Sequence, residues 1–196
     1  MIISEKDAKQ IIIEIVADST SVKQKLIEQQ SDVILDISKA ITDTLSKGGT
    51  VYFFGNGGSA ADAQHVAAEF VGRFARERRA LPAEALTTNT SILTAIGNDY
   101  DFGEVFSRQV KAKVRPIDLV VGISTSGKSK NVINGLKSAK EIGAKTIGFT
   151  GAEPNLMREF SDMCLCVPSK STPRIQESHI MVWHIVSEIV DRSVTQ

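Results

Sequence analysis

The sequence predicts an α/β protein built on a doubly wound, five-stranded parallel sheet that follows N-terminal helices. Three observations support this: five short β-rich runs, a helical pattern between consecutive runs, and a helical pattern over the first 47 residues. Strands that alternate with helices form parallel sheets covered by helices on both faces. The five runs cover residues 50–54, 83–87, 117–123, 145–149 and 164–167.

The helical patterns complete this order. Between the β-rich runs they cover about 59–76, 91–96, 101–114, 128–142 and 154–160, and a long last helix starts near Pro173 and runs to the end. In residues 1–47 we expect two helices, the first capped by Ser4 and the second by Ser31. This segment contains six Lys and eight Asp or Glu residues, a poor composition for a DNA-binding helix-turn-helix. We therefore expect it to serve packing or oligomerisation.

Length and charge narrow the possible classes of protein. A chain of 196 residues favours a single domain over 1–196, with helices in 1–47 and the α/β core in 48–196. The 23 basic and 23 acidic residues cancel, which argues against a nucleic-acid binder. No apolar run approaches the ~20 residues of a membrane span, and no signal-peptide pattern opens the chain. We expect a cytoplasmic protein with neither nucleic acid nor membrane as partner.

The two cysteines, Cys164 and Cys166, fall on one face of the last predicted strand. A disulfide across this spacing would be badly strained. We therefore expect both to be buried small apolar residues rather than a redox pair.

Ligands of doubly wound sheets bind at the carboxyl ends of the strands, so the segments after the strands are informative. The first is Gly55-Asn-Gly-Gly-Ser-Ala60, which matches the G-x-G-x-x-G/A dinucleotide pattern. The acidic residue expected at the end of the next strand is missing, because Glu84 lies inside or before that strand. A glycine-rich turn is also needed wherever backbone N–H groups approach any ligand, so a nicotinamide cofactor is not favoured.

The second segment, Gly122-Ile-Ser-Thr-Ser-Gly-Lys-Ser129, satisfies the P-loop pattern. A P-loop NTPase also needs an Asp that closes a strand and helps to hold magnesium, and the candidate strands end without one. The segment is instead rich in hydroxyls, which with a helix N-terminus can hold one phosphate without a metal. These are Ser124, Thr125, Ser126 and Ser129. We interpret it as a phosphate site; a capped turn without a ligand is the alternative.

Possible metal ligands occur on two predicted helices. His65 and Glu69 are four residues apart, so they share a helical face and can bind one metal ion. The last helix carries His179 and His184, together with Gln176 and Glu177. If both helices face the same strand ends, the first pair meets a His and either Gln176 or Glu177. The alternative, that all are solvated or hydrogen-bonded helix residues, stays open.

Four motifs in order closely resemble those of the phosphoheptose isomerase family of SIS domain proteins. They are GNGGSAADAQH at 55–65, LTAIGND at 93–99, GISTSG at 122–127 and PRIQESH at 173–179. The resemblance covers essentially the whole chain and implies a flavodoxin-like SIS fold. It implies an aldose–ketose isomerase that converts sedoheptulose 7-phosphate into D-glycero-D-manno-heptose 7-phosphate through an enediol(ate). This is the first step of nucleotide-activated heptose biosynthesis. The resemblance also implies one Zn²⁺ per subunit and a homotetramer with sites near subunit interfaces.

The resemblance assigns roles to residues of this sequence. The implied zinc ligands are His65, Glu69, Gln176 and His184, and Glu69 and His184 are implied to move protons. The implied substrate contacts are Asn56, Gly57, Gly58, Glu69, Asn98, Asp99, Ser124, Thr125, Ser126, Ser129 and Gln176. Two positions depart from the family: Lys128 stands where Asn is frequent, and Pro173 stands where some members place an Asp.

Two other functions remain as alternatives. Relatives of this family include a non-catalytic SIS adaptor that associates with the bacterial replication initiator. Such an adaptor need not keep a metal-capable residue at His184, so this residue favours the isomerase. A phosphosugar-sensing transcription regulator would need an additional DNA-binding domain, for which we expect no room.

Overall fold

The computed structural model describes residues 3–152 and 155–194. The elements in chain order are α1 (Glu5–Ser46), β1 (Val51–Gly55), α2 (Gly58–Val71), β2 (Ala83–Ala85), α3 (Thr90–Asp99), α4 (Ser107–Lys113), β3 (Leu119–Ser124), α5 (Lys130–Ile142), β4 (Lys145–Thr150), β5 (Met163–Cys166) and α6 (Thr172–Ser193). Short 3-10 turns cover Phe102–Glu104 and Leu156–Phe160. The predicted start of a helix at Pro154 and the last two residues of the predicted final helix lie outside the described residues.

The sheet confirms the predicted architecture. Its five strands are all parallel and lie in the order β2-β1-β3-β4-β5. Each predicted strand is present, with bounds within two residues of those expected. Successive side chains face opposite layers: Phe53 packs in the core with α1, α2 and α6, and Phe54 packs in the core with α4 and α5. β1 and β3 are in register up to Gly55 opposite Ile123, so their carboxyl ends lie side by side.

The predicted pair of N-terminal helices is wrong, because α1 is one helix of 42 residues. Ser4 caps it as expected, with its Oγ accepting from the Asp7 amide at 3.1 Å. Ser31 caps nothing, because its hydroxyl donates to the Ile27 carbonyl inside the helix. Buried residues of α1 begin at Val22, and its C-terminal half packs on α6 and β5. No helix in the described ranges is long and apolar enough to cross a membrane.

The predicted helix over 101–114 is also wrong, because the chain forms a 3-10 turn and then the shorter α4. The Asp101 carboxylate accepts from the Gly103 amide at 2.8 Å and from Lys130 Nζ at 2.9 Å. An Asx turn of this kind competes with helix formation. The local hydrogen bond therefore outweighs the helical pattern.

The two cysteines lie on one face of β5, as predicted, but they are half-buried rather than buried. Only Leu165 between them is fully buried in the α1 and α6 layer. β5 is one of the two edge strands of the sheet, and its face that carries the two cysteines is only partly covered. The expectation of two buried apolar residues is therefore wrong.

A buried ion pair closes the end of α2 and ties it to α6. The predicted helix over 59–76 stops at Val71, and Arg78 folds back so that its guanidinium donates to the carbonyls of Glu69 and Phe70 at 2.7 and 2.9 Å. Arg78 Nε donates to Asp191 Oδ1 of α6 at 2.7 Å, and both side chains are about 98% buried or more. This charge-assisted contact thus adds to the apolar packing between the two helices that carry the predicted metal ligands.

We expect Asp191→Asn to lower the free energy of unfolding by about 3–5 kcal/mol, because it leaves the buried Arg78 charge unpaired. Burial opposes ionisation, but hydrogen bonds from the Ala75 and Arg76 amides and from Arg78 prevail and lower the pKa of Asp191. The extra unfolding free energy of the wild type over Asp191→Asn is therefore fully present above the pKa of Asp in the unfolded chain, about 3.9. It is lost as the pH falls through the lower pKa of Asp191 in the folded protein. Urea unfolding of both proteins at several pH values measures this.

A matched control is Glu188→Gln, in the same helix. Glu188 pairs with Arg192, whose side chain is 60% exposed, so its loss should change the free energy of unfolding by less than about 1 kcal/mol. Equal effects of the two substitutions would contradict the role given to the buried pair.

Candidate functional site

The site lies at the carboxyl ends of β1 and β3, the adjacent strands at which the strand order reverses. The turn after β1 contains Gly57 with φ +54°, a conformation that favours glycine. Asn56 and Asn131 exchange two side-chain amide hydrogen bonds of 2.8 and 2.9 Å, which join this turn to α5. The two glycine-rich segments singled out in the sequence therefore flank one crevice.

The segment after β3 is a compact cradle of hydroxyls. Ser124 Oγ lies 2.9 Å from Ser129 Oγ and 3.4 Å from Ser126 Oγ. Ser129 is the N-cap residue of α5, so the amides of the helix N-terminus open towards this cradle. Gly127 has φ +63°, and an added Cβ would lie 2.6 Å from Thr150 Oγ1. This arrangement suits a phosphate group.

The two nucleotide patterns have the wrong surroundings. Lys128 is exposed and precedes α5, which begins at Lys130. β4 and β5 end at Thr150 and Cys166, so neither supplies a magnesium-binding Asp. For the dinucleotide pattern, Glu84 is in the middle of β2, where it pairs with Lys113, and not at the end of the strand as that pattern requires.

His65, Glu69 and His184 come together between α2 and α6. His65 Nε2 lies 3.1 Å from His184 Nε2 and 3.4 Å from Glu69 Oε1. His184 also contacts the Phe74 ring, with centroids 5.7 Å apart. Among residues 3–152 and 155–194, no three His, Cys, Asp or Glu side chains are arranged so that they could hold a metal ion, so His65, Glu69 and His184 do not by themselves make a metal centre.

A further donor of another kind is Gln176, which the structure holds in place. Its carboxamide lies over Gly58, where an added Cβ would come within 2.1 Å of Gln176 Nε2. The absence of a side chain at Gly58 therefore makes room for Gln176. On the other side Gln176 hydrogen-bonds to Asp62.

Asp62 is the residue that sequence reasoning missed. It is buried, and its Oδ2 has no hydrogen-bond partner among the described residues. Burial raises the pKa of Asp62 to about 6, against the hydrogen bond from Gln176 and the charge of His65. The available signal was spacing: Asp62 is four residues after Gly58 and three before His65, on the same face of α2.

The remaining candidates of α6 point elsewhere. His179 is fully buried, and its Nε2 donates to the Thr150 carbonyl at 3.1 Å. Burial lowers the pKa of His179 to about 4. Glu177 accepts from Arg174 at 2.6 Å and from Ser19 at 2.8 Å. The sequence left open whether Gln176 or Glu177 reaches the site. The structure brings Gln176 there.

The structure leaves Asn98 and Asp99 at the exposed end of α3. Asn98 Nδ2 donates to Asp99 Oδ1 at 2.8 Å, and neither is hydrogen-bonded to the other predicted site residues. Thr125 lies in the loop after β3, where its carbonyl accepts from the Gly151 amide at 3.1 Å. Asn98 and Asp99 are therefore less closely tied to the crevice than the other predicted contacts, whereas Thr125 lies within the cradle segment.

Comparisons with known proteins agree with this fold. The sequence profile of the SIS domain matches residues 15–151. The chain is 54% identical over 183 residues to a phosphoheptose isomerase of Roseiflexus sp. (strain RS-1), covering 93% of each chain. It is 51% identical over 179 residues to that of Aquifex aeolicus (strain VF5), covering 91% of this chain and 94% of the relative.

Solved structures give the same result. The phosphoheptose isomerase of Neisseria gonorrhoeae superposes with a TM-score of 0.89 and 40% identity, over 94% of this chain and 99% of that one. The enzyme of Francisella tularensis superposes with a TM-score of 0.91 and 32% identity, over 94% and 98%. With the fold, the crevice and these similarities in agreement, the chain belongs to the SIS domain family and, within it, to the phosphoheptose isomerases.

Proposed function

We propose that the protein is an aldose–ketose isomerase that converts sedoheptulose 7-phosphate into D-glycero-D-manno-heptose 7-phosphate, the first step of nucleotide-activated heptose biosynthesis. One observation carries the proposal: the turn after β1 contacts both α5, whose N-terminus opens into the hydroxyl cradle, and α6, which carries His184 of the acid–base cluster. Asn56 in this turn bonds to α5, and Gly58 packs against Gln176 of α6. A sugar phosphate has a phosphate at one end, which suits the cradle, and a carbonyl carbon at the other, which suits the acid–base cluster.

The phosphate end would be held by hydroxyls and backbone amides. Ser124, Ser126 and Ser129 can each donate to a phosphate oxygen, and the N-terminus of α5 favours negative charge. Binding at this end restricts the carbons at the other end to one place. The entropy of orientation is then lost on binding rather than in the reaction step.

The reacting end needs a base and a group that handles a second proton, because a proton moves between C1 and C2 through an enediol(ate). The Glu69 carboxylate, whose side chain is 22% exposed, is the base we assign to the carbon-bound proton. His184 Nε2, across the crevice, is suited to exchange a proton with the sugar oxygen. Glu69 is in α2 and His184 is in α6, so both side chains can act on one substrate bound between these helices.

Zinc fits the donors that meet here. Two nitrogen ligands of one tetrahedral zinc ion lie about 3.3 Å apart. The Nε2 atoms of His65 and His184 are 3.1 Å apart, and Glu69 Oε1 is 3.4 Å from the first of them. Gln176, which packs against Gly58, would be the fourth ligand through its carbonyl oxygen. When bound by these residues, Zn²⁺ would supply a Lewis acid for negative charge on the sugar oxygens.

The direct test is incubation of the purified protein with sedoheptulose 7-phosphate and zinc, followed by NMR. We expect signals of the aldose 7-phosphate to appear. Absence of turnover with zinc supplied would contradict the proposal and favour the non-catalytic adaptor. The adaptor has no need for His184 beside His65, which is why the isomerase is the better-supported function.

We expect Glu69→Gln to lower kcat by at least ~10²-fold, because it keeps the shape but removes the charge and the base. His184→Asn should lower both the rate and the zinc content. Residues that act as a unit give non-additive losses, so the double variant should be scarcely worse than either single one. Steady-state kinetics and elemental analysis measure these effects.

The internal control is His179→Asn in the same helix. His179 is bonded to the sheet and lies away from the site, so its loss should leave the zinc content nearly intact. Zinc lost from the His179 variant but retained by the His184 variant would overturn the assignment.

A second prediction concerns Lys128, which creates the P-loop match. Its side chain is exposed at the mouth of the cradle, where it can only add electrostatic attraction for phosphate. Lys128→Asn should therefore keep kcat and raise KM modestly, more at low than at high salt. ATP hydrolysis that disappears in this variant would show that the loop is a nucleotide site.

A third prediction concerns assembly. The first half of α1 exposes a group of large apolar side chains: Ile11, Ile12, Ile13, Ile15 and Val16. Apolar surface of this kind is typical of protein interfaces. Together with the family relationship it supports a homotetramer, and light scattering should give an assembly larger than a dimer. A mass near 21 kDa, that of one chain, would contradict this.

A further inference from the structure

Asn131, the second residue of α5, is buried and takes no part in the proposed chemistry. Its side-chain amide exchanges two hydrogen bonds with that of Asn56. Asn56 Nδ2 donates to Asn131 Oδ1 at 2.8 Å, and Asn131 Nδ2 donates to Asn56 Oδ1 at 2.9 Å. A closed pair of this kind fixes each amide relative to the other. It joins the turn after β1 to the helix that begins at the phosphate cradle.

A third hydrogen bond sets the orientation of the pair. The Val132 backbone amide donates to Asn131 Oδ1 at 2.9 Å. A backbone amide can only donate, so this bond places the oxygen of the Asn131 carboxamide, and its nitrogen is then the atom that faces Asn56 Oδ1. Amides in the first turn of a helix have no partner within the helix, and Asn131 satisfies one of them for α5. The bond that satisfies the start of α5 therefore also orients Asn56.

The position of Asn131 relative to the cradle is fixed by the start of α5. Ser129 is the N-cap residue of this helix, and its Oγ lies 2.9 Å from Ser124 Oγ in the cradle. The Ser129 carbonyl accepts from the Ile133 amide at 3.0 Å. Ser129 and Asn131 thus belong to one hydrogen-bonded helical turn, which holds them at a constant separation.

The Asn56 side chain is occupied by this pair rather than aimed at a ligand. Its backbone carbonyl is also used, because it accepts from the Ser59 amide at 3.0 Å. Gly57, the N-cap residue of α2, has no side chain to cap that helix, so the amides at the start of α2 remain available to a substrate. In this turn the backbone is therefore suited to contact the substrate, and Asn56 is suited to hold the backbone.

We propose that Asn131 is a positioning residue. It holds the turn of residues 55–58 at a fixed distance from the cradle, so that a substrate with its phosphate in the cradle presents its reacting carbons to Glu69 and His184. A misplacement of about 1 Å at a reacting centre can cost ~10²-fold in rate. The catalytic consequence rests on the proposed function, whereas the hold on the turn does not.

The hold on the turn is tested without substrate, by hydrogen exchange of the intact protein followed by mass spectrometry. The amides of Ser59 and Ala60 donate to carbonyls within the turn at 3.0 Å, so they report on its opening. We expect Asn131→Ala to speed exchange in residues 55–60 at least about tenfold, because local opening no longer has to break the amide pair. Equal exchange in the variant and the wild type would overturn the inference.

The matched control is Asn134→Ala in the same helix. Asn134 Nδ2 also makes two hydrogen bonds, to the Gly103 carbonyl and to Glu104 Oε1 at 3.1 Å each, but these lead to the segment before α4. Its loss should leave the exchange of residues 55–60 unchanged. Equally fast exchange in both variants would indicate a general loosening of α5 and would contradict the specific role of Asn131.

The catalytic consequence is tested by a double-mutant cycle with sedoheptulose 7-phosphate as substrate. Asn131→Ala should lower kcat at least about tenfold, because the reacting end of the substrate is no longer held in register with the cluster. In the Asn56→Ala background, which has already lost the pair, the same substitution should change kcat less than about twofold. A loss of equal size in both backgrounds would show that Asn131 acts other than through Asn56, and the inference would be wrong.

Phosphate affinity separates positioning from binding at the cradle. Asn131→Ala keeps the cradle hydroxyls, so the Kd for inorganic phosphate, measured by calorimetry, should change less than about threefold. Loss of phosphate binding in this variant at an unchanged kcat would assign Asn131 to the cradle instead and would overturn the inference.

A second variant guards against misfolding of the first. Asn131→Asp keeps an acceptor for the Val132 amide and for Asn56 Nδ2, and its negative charge suits a helix N-terminus. It loses only the donor to Asn56 Oδ1, so it should lower kcat less than Asn131→Ala, while its charge should raise the Kd for phosphate. The reverse order of the two kcat values would contradict the role of the pair. If the wild type did not turn over the substrate, the proposed function would fail, while hydrogen exchange would still decide whether Asn131 holds the turn.

Discussion

The site depends on the buried contact between Arg78 and Asp191. The last carbonyls of a helix have no partner within the helix. In α2 the Arg78 guanidinium donates hydrogen bonds to two of them. One of these carbonyls belongs to Glu69, and Asp191 is two turns beyond His184 in α6. The interaction that ends one helix therefore also links it to the helix on the other side of the candidate acid–base cluster, beside the apolar core that the two helices share.

The sheet supplies the second constraint, which is the separation of the hydroxyl cradle from the cluster of His65, Glu69 and His184. The cradle belongs to β3 and α5, and the acid–base cluster belongs to α2 and α6, which lie in the opposite layer of helices. The turn after β1 lies between them because β1 is the neighbour of β3 in the sheet. Parallel strands with the order β2-β1-β3 leave a crevice at this point, and the proposed catalytic and phosphate-binding groups lie on its two sides.

Much of this was predictable from the sequence because the signals are local. Five β-rich runs and the helices between them were enough for the sheet, and the spacing of His65 and Glu69 placed both on one helical face. Predictions failed where a side chain satisfied the backbone in another way. Ser31 bonds within α1 instead of capping a second helix, and Asp101 binds the Gly103 amide and interrupts a helix. Such competition is decided by hydrogen bonds that the pattern of apolar residues does not describe.

The sequence by itself determined the fold class, the hydroxyl-rich loop and the residue types that can carry acid–base chemistry. Only the tertiary structure decided which of them meet: His184 and not His179 faces His65, and Gln176 and not Glu177 reaches the crevice. It also revealed Asp62 behind Gln176 and Arg78 at the end of α2. The physical reason is that helical spacing sets the face on which a residue lies. The orientation of that face depends on how α2 and α6 pack, through contacts between residues more than 100 positions apart.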